Sequence, residues 1–377
     1  MNLLVKNFAK IGEADIDVNG LTVIAGANGS GKSTVGKLFY CLICAAYKTK
    51  TDFEKEKLRR IRNVLDQTES FALENFFEEV KRSDTGKTAF SILRAGNADE
   101  YNLSSNNKAK IKKILSVSEA DFFKACLDKM FKYEFGSQLL NVHNMESSTI
   151  KLVIGENISI KLNIKSNTEI TVEEAQLNDE KLTEAFYIDT PYIMDDTTTF
   201  GVYHRKDLKR RLTVESDNVA QKIFNLLLSD AAPSAGDTSG ALVHITNEAA
   251  GYKTILMLKR LLAKGLLLGG NLLILDEPEI HLHPNLQIIL AEILVLLVKS
   301  KQINVLLNTH SPYFLEAIEV YSEKHKINES SKYYLANQEE KKSVIKDTTE
   351  NVEEIYALLS MPFKKLEEIR NDLYDTE

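Results

Sequence analysis

The segment Leu21–Thr34, LTVIAGANGSGKST, joins an apolar run to a glycine-rich loop and then to a helix-forming stretch. Leu21–Ala25 has the length and the mainly apolar character of a strand. A helical pattern follows the loop from Lys32 to about residue 47. Further along, helices and strands alternate from about residue 252 to residue 324, and this βαβ pattern predicts an α/β fold with a parallel sheet.

The loop itself, Gly26–Ser33, fits the pattern G-x-x-x-x-G-K-[ST] at every fixed position. Glycines let the backbone curl so that successive N–H groups point at phosphate oxygens, and the helix N-terminus adds a partial positive charge. In this pattern Lys32 reaches the β- and γ-phosphates of a nucleotide, and the Ser33 hydroxyl binds Mg²⁺. The predicted phosphate-binding residues are Gly26, Ala27, Asn28, Gly29, Ser30, Gly31, Lys32, Ser33 and Thr34.

A second apolar strand, in NLLILDEPE (271–279), ends in acidic residues. If the loop binds phosphates, a neighbouring strand must bring a carboxylate to the metal ion. We expect Asp276 to hold Mg²⁺ through water. Glu277 is expected to polarise the attacking water, as in-line phosphoryl transfer requires.

The same stretch continues with His281 and His283, which raises the alternative of a zinc site. The two side chains point to opposite sides of an extended chain, and no cysteine or further histidine nearby completes a tetrahedral set. Pro284 is suited to the first position of a helix. We therefore interpret these histidines as part of the turn into the next helix.

A third apolar strand, in NVLLNTHSP (304–312), ends in polar residues. A histidine at the end of a neighbouring parallel strand can donate a hydrogen bond to a γ-phosphate and contact the attacking water. Alone, His310 is more simply a turn residue. Together with the glycine loop and Asp276–Glu277, it is predicted to be a catalytic residue.

The rest of the chain indicates two parts. Residues 1–50 and 136–377 carry the strands and helices of a mainly parallel sheet, with an antiparallel β-meander at about 149–172. Residues 51–135 are mostly helical and highly charged, which predicts a helical insertion. Cys41 and Cys44 lie in an apolar helical stretch and are expected to face a buried core rather than to carry redox or metal chemistry.

Net charge, cysteine count and the length of apolar runs indicate which partners and which cellular compartment to expect. The 377 residues carry a net charge of −7, so there is no global basic footprint for nucleic acid. Three cysteines form no disulfide framework, and no apolar run reaches the roughly 20 residues of a membrane span. A cytoplasmic protein is expected. The basic runs 54–62, 108–113 and 204–211 are interpreted as solvated helix faces, although on one surface they could bind DNA without reading its sequence.

The motifs Gly26–Ser33, Leu272–Glu277 and His310 together resemble the ABC-type ATPase head, in its SMC/RecF-like branch. DEPEIHLHP and NTHSPYFLEAI are similar to ATPases of the overcoming-lysogenisation-defect and PtuA type, many of which act in bacterial anti-phage defence. The resemblance implies hydrolysis of ATP with Mg²⁺. It assigns the catalytic roles to Glu277, His310 and Lys32.

Heads of this type work as head-to-tail dimers, or as dimers of dimers, in which a signature loop completes the partner's site. By resemblance, the candidate is NEAAGYKT (247–254), with Asn247, Ala249 and Gly251 next to the nucleotide. An ordinary helix start is the alternative. Gln138 is the candidate for the glutamine that reaches Mg²⁺, although a surface glutamine would have the same sequence.

Nuclease-bearing members of this family continue with a metal-binding acidic domain, whereas only about sixty residues follow NTHSP here. The resemblance therefore implies a separate effector, a nuclease or a toxin, regulated by the ATPase. The alternatives are a DNA-binding ATPase of repair or maintenance, a transporter subunit and a nucleotide sensor that does not hydrolyse. The departure from L-S-G-G-Q disfavours the transporter, and Glu277 disfavours the sensor.

Overall fold

The computed structural model describes residues 1–66, 84–136, 138–141, 146–178, 182–189, 250–263, 265–339 and 342–374. The basic run 204–211 and the signature-loop candidates Asn247 and Ala249 lie outside these described residues. No helix in the described ranges is both long and apolar enough to cross a lipid bilayer.

The described strands form one sheet. Their bounds are β1 (Asn2–Phe8), β2 (Ile11–Asp17), β3 (Leu21–Gly26), β4 (Ser148–Ile154), β5 (Ile158–Ser166), β6 (Glu169–Leu177), β7 (Ala185–Ile188), β8 (Leu272–Asp276), β9 (Asn304–Thr309), β10 (Ser331–Glu339) and β11 (Lys342–Asp347). Their order across the sheet is β6-β5-β4-β1-β2-β11-β10-β3-β9-β8-β7.

Helices cover this sheet. In the described ranges they are α1 (Lys32–Asp66), α2 (Asp84–Ala95), α3 (Ser105–Leu115), α4 (Glu119–Phe135), α5 (Ala250–Ala263), α6 (Pro284–Lys301), α7 (Pro312–Lys324) and α8 (Glu353–Tyr374). The strands and helices predicted around the three motifs are present, so the predicted α/β class is confirmed.

The sheet has a parallel half and an antiparallel half. Strands β10, β3, β9, β8 and β7 pair in parallel. Strands β6, β5, β4, β1 and β2 pair antiparallel and contain the predicted meander. The antiparallel part is continuous with the parallel part through β11, so the meander extends the central sheet.

Burial of the central strands explains where functional groups can lie. All six residues of β3 are buried, as are the first four of β8 and the last five of β9. Parallel strands end at the same edge of a sheet, and side chains beyond the buried run are the first to reach solvent. The register pairs Ala25 with Thr309 and Asp276 with Asn308, so the ends of the three strands meet at one edge.

The hairpin β10–β11 was not predicted from the sequence. It inserts β10 between β3 and β11, so residues beyond the third motif belong to the centre of the sheet. The backbone N–H of Asp17 donates to the Tyr334 hydroxyl at 2.9 Å, which ties β10 to the antiparallel half. Four consecutive residues of β10, Tyr333–Ala336, are buried, so the strand lacks the alternation that would have marked it.

Helix α1 is longer than the sequence pattern predicted. It runs without a break to Asp66, well past the predicted end near residue 47. Its second half is held by pairs within the helix: Glu56 with Arg59 at 2.7 Å and with Arg60 at 2.6 Å. The predicted basic run 54–62 is therefore largely paired within its own helix. The helical insertion predicted from residue 51 would begin inside α1.

Two buried clusters lie along α1. Its first half, including Cys41 and Cys44, packs in the main core beside the sheet, as predicted for the two cysteines. Its second half contributes Leu58 and Ile61 to a smaller core with α2 and α3. The change from apolar to charged composition along α1 thus follows the change from one core to the other.

Gly36 in α1 lies against the sheet at a contact that leaves little room. A Cβ atom at this position would be 3.0 Å from Ile274 Cγ2 and 3.0 Å from Tyr187 Cε2. We expect Gly36→Val to lower the free energy of unfolding by about 1–3 kcal/mol, because the added methyl groups overpack this contact. Chemical denaturation measures the change. Lys50→Val, at an exposed position of the same helix, is the control, and an equal effect of the two variants would contradict the packing.

Helix α8 begins on the core and continues away from it. Ile355 is fully buried, whereas Phe363, Leu366, Ile369 and Leu373 are 58%, 59%, 49% and 65% exposed. These four residues recur every three or four positions, so they form one apolar face of the helix. We call Phe363, Leu366, Ile369 and Leu373 the α8 stripe.

Candidate functional site

A cleft opens between the glycine loop and Glu277, the residue after β8. Its volume is about 370 Å³. The residues that line it are Lys10, Asn28, Gly29, Ser30, Gly31, Lys32, Ser33, Thr34 and Glu277. The structure therefore brings most of the predicted phosphate-binding residues together with the predicted catalytic base. Lys10, from the turn between β1 and β2, is an additional cation that sequence reasoning missed.

The backbone of the loop depends on glycine at its two ends. A Cβ atom on Gly26 would lie 2.2 Å from the Ala336 carbonyl oxygen of β10. Gly31 has φ +92°, a left-handed conformation that side chains disfavour, and its Cβ would be 3.2 Å from Ile11 Cγ1. The loop is thus packed against the sheet and is fixed in a curl that opens towards the cleft.

Lys32 lies at the base of this curl. Its side chain is only 3% exposed, and Nζ donates to the carbonyl oxygens of Gly26 and Ala27, each at 2.9 Å. Burial lowers the pKa of Lys32, while the negative charges of Glu277 and Asp276 act in the opposite direction. The ammonium group is therefore held beside the loop, where it can meet an anionic ligand.

Glu277 is held in an unusual backbone conformation directly after β8. Its φ of 48° is left-handed, which costs of order 1–3 kcal/mol for a residue with a side chain. Its backbone N–H donates to the Asn308 carbonyl at 2.9 Å, which fixes the turn. Glu277 Oε1 lies 3.7 Å from Lys32 Nζ and 3.3 Å from His310 Nδ1. The three predicted catalytic side chains are therefore neighbours.

Asp276 is fixed by two donors that the sequence did not predict. The Tyr187 hydroxyl donates to Asp276 Oδ2 at 2.9 Å, and Asn308 Nδ2 donates to Oδ1 at 2.9 Å. Burial raises the pKa of Tyr187 well above its usual value, so the hydroxyl stays protonated as a donor. Asn308 is a buried polar residue directly after the apolar run Val305–Leu307, and that contrast was a sequence signal for its role.

Glu279 is a second carboxylate that sequence reasoning missed. Its side chain is 3% exposed, and its Oε1 accepts from Thr309 Oγ1 at 2.5 Å and from the His310 backbone N–H at 3.2 Å. Burial raises its pKa, and the hydrogen bond from Thr309 acts against that rise. Glu279 therefore joins the turn after β8 to the end of β9.

The HLHP segment leads into helix α6. His283 Nδ1 accepts from the Asn285 backbone N–H at 3.4 Å at the start of α6, and Pro284 is the first residue of that helix. This confirms the interpretation of the segment as a helix start. Within the described residues, no group of three or more His, Cys, Asp or Glu side chains is arranged to hold a metal ion.

The remaining predicted site residues stay predictions. Ser33 and Thr34 are half-buried in the first turn of α1. Gln138 is exposed and its backbone N–H donates to the Phe135 carbonyl at 3.2 Å, and it is not among the residues that line the cleft. Gly251 is the second residue of α5.

Residues 205–315 match the family described as AAA ATPase domain. The matched segment includes β8, α6 and β9, and with them Asp276, Glu277 and His310. It covers less than a third of the chain. A comparison with curated protein sequences gave no match.

Two solved structures give partial similarity. The SMC head domain from Thermotoga maritima has 12% sequence identity and a TM-score of 0.34, over 92% of this chain and 97% of that chain. The Smc head domain from Pyrococcus furiosus, with an extended coiled coil and bound to the C-terminal domain of ScpA, has 12% identity and a TM-score of 0.30, over 98% of both chains. The chain thus has an α/β fold, and its residues 205–315 are similar to an AAA ATPase domain.

Proposed function

We propose that the protein binds ATP with Mg²⁺ in this cleft and hydrolyses the bond between the β- and γ-phosphates of ATP. One observation carries the proposal: Glu277, at the end of a buried parallel strand, lies within 4 Å of both Lys32 and His310 beside the glycine loop. A base, a cation and a histidine in contact beside a phosphate-binding loop are the groups that in-line transfer to water requires. The ATPase-type segment at residues 205–315 supports the same reaction.

Phosphate binding uses groups that the chain already orients. The loop backbone from Gly26 to Ser33 presents N–H groups at the start of α1, where the helix dipole favours negative charge. Lys32 would exchange its two carbonyl partners for phosphate oxygens, which are stronger acceptors because they are charged.

The donor set also suits Mg²⁺. Asp276 offers oxygens whose orientation is fixed by Tyr187 and Asn308, and Ser33 offers a half-buried hydroxyl at the start of α1. These are hard oxygen ligands of the kind that Mg²⁺ prefers. When bound, the ion would neutralise phosphate charge.

In the hydrolytic step, Glu277 takes a proton from a water molecule as the water oxygen forms its bond to the γ-phosphorus. The bond from the γ-phosphorus to the β–γ bridging oxygen breaks, and ADP leaves with that electron pair. His310 donates a hydrogen bond to the γ-phosphate. Lys32 compensates the negative charge that develops on the phosphate oxygens.

Phosphate release by the purified protein tests this proposal. We expect release from ATP in the presence of Mg²⁺ and no release when EDTA removes the ion. Parallel assays with GTP measure base selectivity. An unchanged rate with EDTA would contradict the proposed role of Mg²⁺, and no release under any nucleotide condition would contradict hydrolysis.

The two hydrogen bonds that orient Asp276, from Tyr187 and Asn308, give a separate prediction. We expect Tyr187→Phe to raise the Mg²⁺ concentration for half-maximal turnover about 10-fold, because loss of a group that orients a metal ligand weakens metal binding. A Mg²⁺ titration at saturating ATP measures it. Tyr40→Phe is the control, since Tyr40 is a buried neighbour of Tyr187 with ring centroids 6.1 Å apart. Equal effects of the two variants would contradict the proposal that Tyr187 orients Asp276 for metal binding.

We also propose that the ATPase forms a homodimer around ATP and regulates a separate effector, a nuclease or a toxin, in anti-phage defence. The motif resemblance supports this role, and the exposed α8 stripe supports contact with another polypeptide. DNA binding in repair or maintenance is the alternative.

A pull-down with tagged Glu277→Gln protein and ATP separates the two roles. If the protein regulates an effector, the pull-down should capture a stoichiometric nuclease or toxin whose activity changes with ATP. Replacing Leu366 of the α8 stripe by glutamate should abolish the capture of that protein. Bound nucleic acid without such a protein would favour the DNA-binding role. Sedimentation of Glu277→Gln with and without ATP tests the dimer.

A further inference from the structure

We propose that Glu279 is a positioning residue, whose carboxylate holds the Thr309–His310 turn so that the His310 ring stays beside Glu277. This inference rests on the proposed ATPase function for its effect on turnover. The contacts that carry it, however, are present in the protein without any ligand.

The first observation is the burial of a carboxylate with little to compensate its charge. Glu279 is 3% exposed, and among the described residues His310 is the one basic side chain within 4.0 Å of it, at 3.9 Å. Burying a carboxylate costs several kcal/mol unless hydrogen bonds replace water. A leucine or methionine would fill such a position without that cost, so core packing does not explain the residue.

The second observation is that Thr309 and His310, the two residues that donate hydrogen bonds to the Glu279 side chain, are adjacent in the chain. Oε1 accepts from Thr309 Oγ1 at 2.5 Å and from the His310 N–H at 3.2 Å. Oε2 is buried and has no hydrogen-bond partner in the described structure. One oxygen therefore contacts the last residue of β9 and the residue after it, which fixes the direction in which the chain leaves the sheet.

The third observation is how this turn continues. Thr309 Oγ1 accepts from the Ser311 N–H at 3.1 Å, and Ser311 Oγ accepts from the Phe314 N–H at 3.2 Å at the start of α7. His310 is thus placed between a strand end and a capped helix. Its ring then lies with Nδ1 3.3 Å from Glu277 Oε1. The His310 backbone is held by Glu279, and its side chain faces Glu277.

The geometry separates two ways in which Glu279 could act. A glutamine at this position keeps an Oε1 that accepts both hydrogen bonds, but it carries no charge. A leucine keeps the volume and removes the acceptor. If Glu279 acts by positioning, glutamine should replace it and leucine should not. If its charge acts on His310, both substitutions should fail equally.

The experiment compares Glu279→Gln, Glu279→Leu and Thr309→Val in the full chain. We expect kcat for ATP to stay within about 3-fold of wild type in Glu279→Gln and to fall about 10- to 100-fold in Glu279→Leu. The KM for ATP should change less than about 3-fold in both variants, because misplacing a catalytic group affects the chemical step. Thr309→Val, which removes one of the two donors, should lie between them. Glu134→Leu is the control, since Glu134 is a 9% exposed carboxylate outside the cleft, paired with Lys37 at 3.4 Å.

Two further readouts make the result specific. In a His310→Ala background, Glu279→Leu should lower kcat little further, whereas a general loss of structure would add to the His310 effect. Amide hydrogen exchange at His310 reports the bond to Glu279 without any nucleotide. We expect exchange to be slow in wild type and Glu279→Gln, and at least 10-fold faster in Glu279→Leu.

These readouts distinguish the two proposals. If the exchange pattern holds but wild type releases no phosphate, the ATPase proposal fails and the placement of His310 by Glu279 stands. If Glu279→Leu folds and keeps the wild-type kcat and His310 exchange rate, the positioning role is wrong. An equal loss of kcat in Glu279→Gln and Glu279→Leu also overturns it.

Discussion

Glu277→Gln is expected to bind ATP with nearly the wild-type affinity and to lose turnover by about 10²- to 10⁴-fold, the range that general-base catalysis contributes. The amide is close to the carboxylate in shape, so it can keep its place between Lys32 and His310, but it cannot accept a proton from water. Binding of a fluorescent ATP analogue measures the affinity, and phosphate release measures the rate.

Glu329→Gln controls for loss of a surface carboxylate, because Glu329 is exposed. Its turnover should equal that of wild type. If Glu277→Gln retains wild-type turnover, the assignment of Glu277 as the base is wrong. If it loses ATP binding and turnover together, Glu277 contributes to binding rather than to the chemical step.

The second large effect is expected at Lys32. Lys32→Met should weaken ATP binding about 100-fold or more, because hydrogen bonds from a charged donor to phosphate contribute roughly 1.5–3 kcal/mol each. Methionine keeps most of the buried stem, so the loop should remain packed. Calorimetric titration with ATP and Mg²⁺ measures the affinity.

Lys50→Met is the matched control, since Lys50 is an exposed residue of the same helix α1. Its affinity for ATP should be unchanged. An affinity within 3-fold of wild type for Lys32→Met would show that the phosphates do not contact this lysine. Thermal melting of both variants checks that any loss of binding is not a loss of folding.

The parts of the fold that could be predicted are those with local signals. The glycine loop has fixed residue spacing, β3, β8 and β9 are mainly apolar, and β8 and β9 end in polar residues. Pro284 and Pro312 begin α6 and α7, as proline does at the first turn of helices. Each of these features depends on a few neighbouring residues.

The parts that could not be predicted depend on distant contacts. Tyr187 meets Asp276 across 89 residues of sequence, and Glu279 meets Thr309 across 30. Neither partner has a local pattern that marks it, because the contact exists only once β7, β8 and β9 pair. The length of α1 was missed for a related reason: its charged half is stabilised by its own ion pairs and by a second small core.

Hydrophobic periodicity in the sequence did not predict the hairpin β10–β11. Because β10 lies between two strands and under helices, its buried residues are consecutive, and a short apolar run of this kind does not distinguish strand from helix. The β-propensity of its two adjacent tyrosines, Tyr333 and Tyr334, was the available indication of a strand.

A crystal structure of Glu277→Gln with ATP and Mg²⁺ would show whether the cleft beside the glycine loop binds the nucleotide. We expect the triphosphate to lie along residues 26–34 and the metal ion to lie between Ser33 and Asp276. Lys32 Nζ should leave the carbonyls of Gly26 and Ala27 for phosphate oxygens. A nucleotide bound elsewhere, or a Lys32 that keeps its carbonyl partners while phosphates occupy another surface, would contradict this expectation.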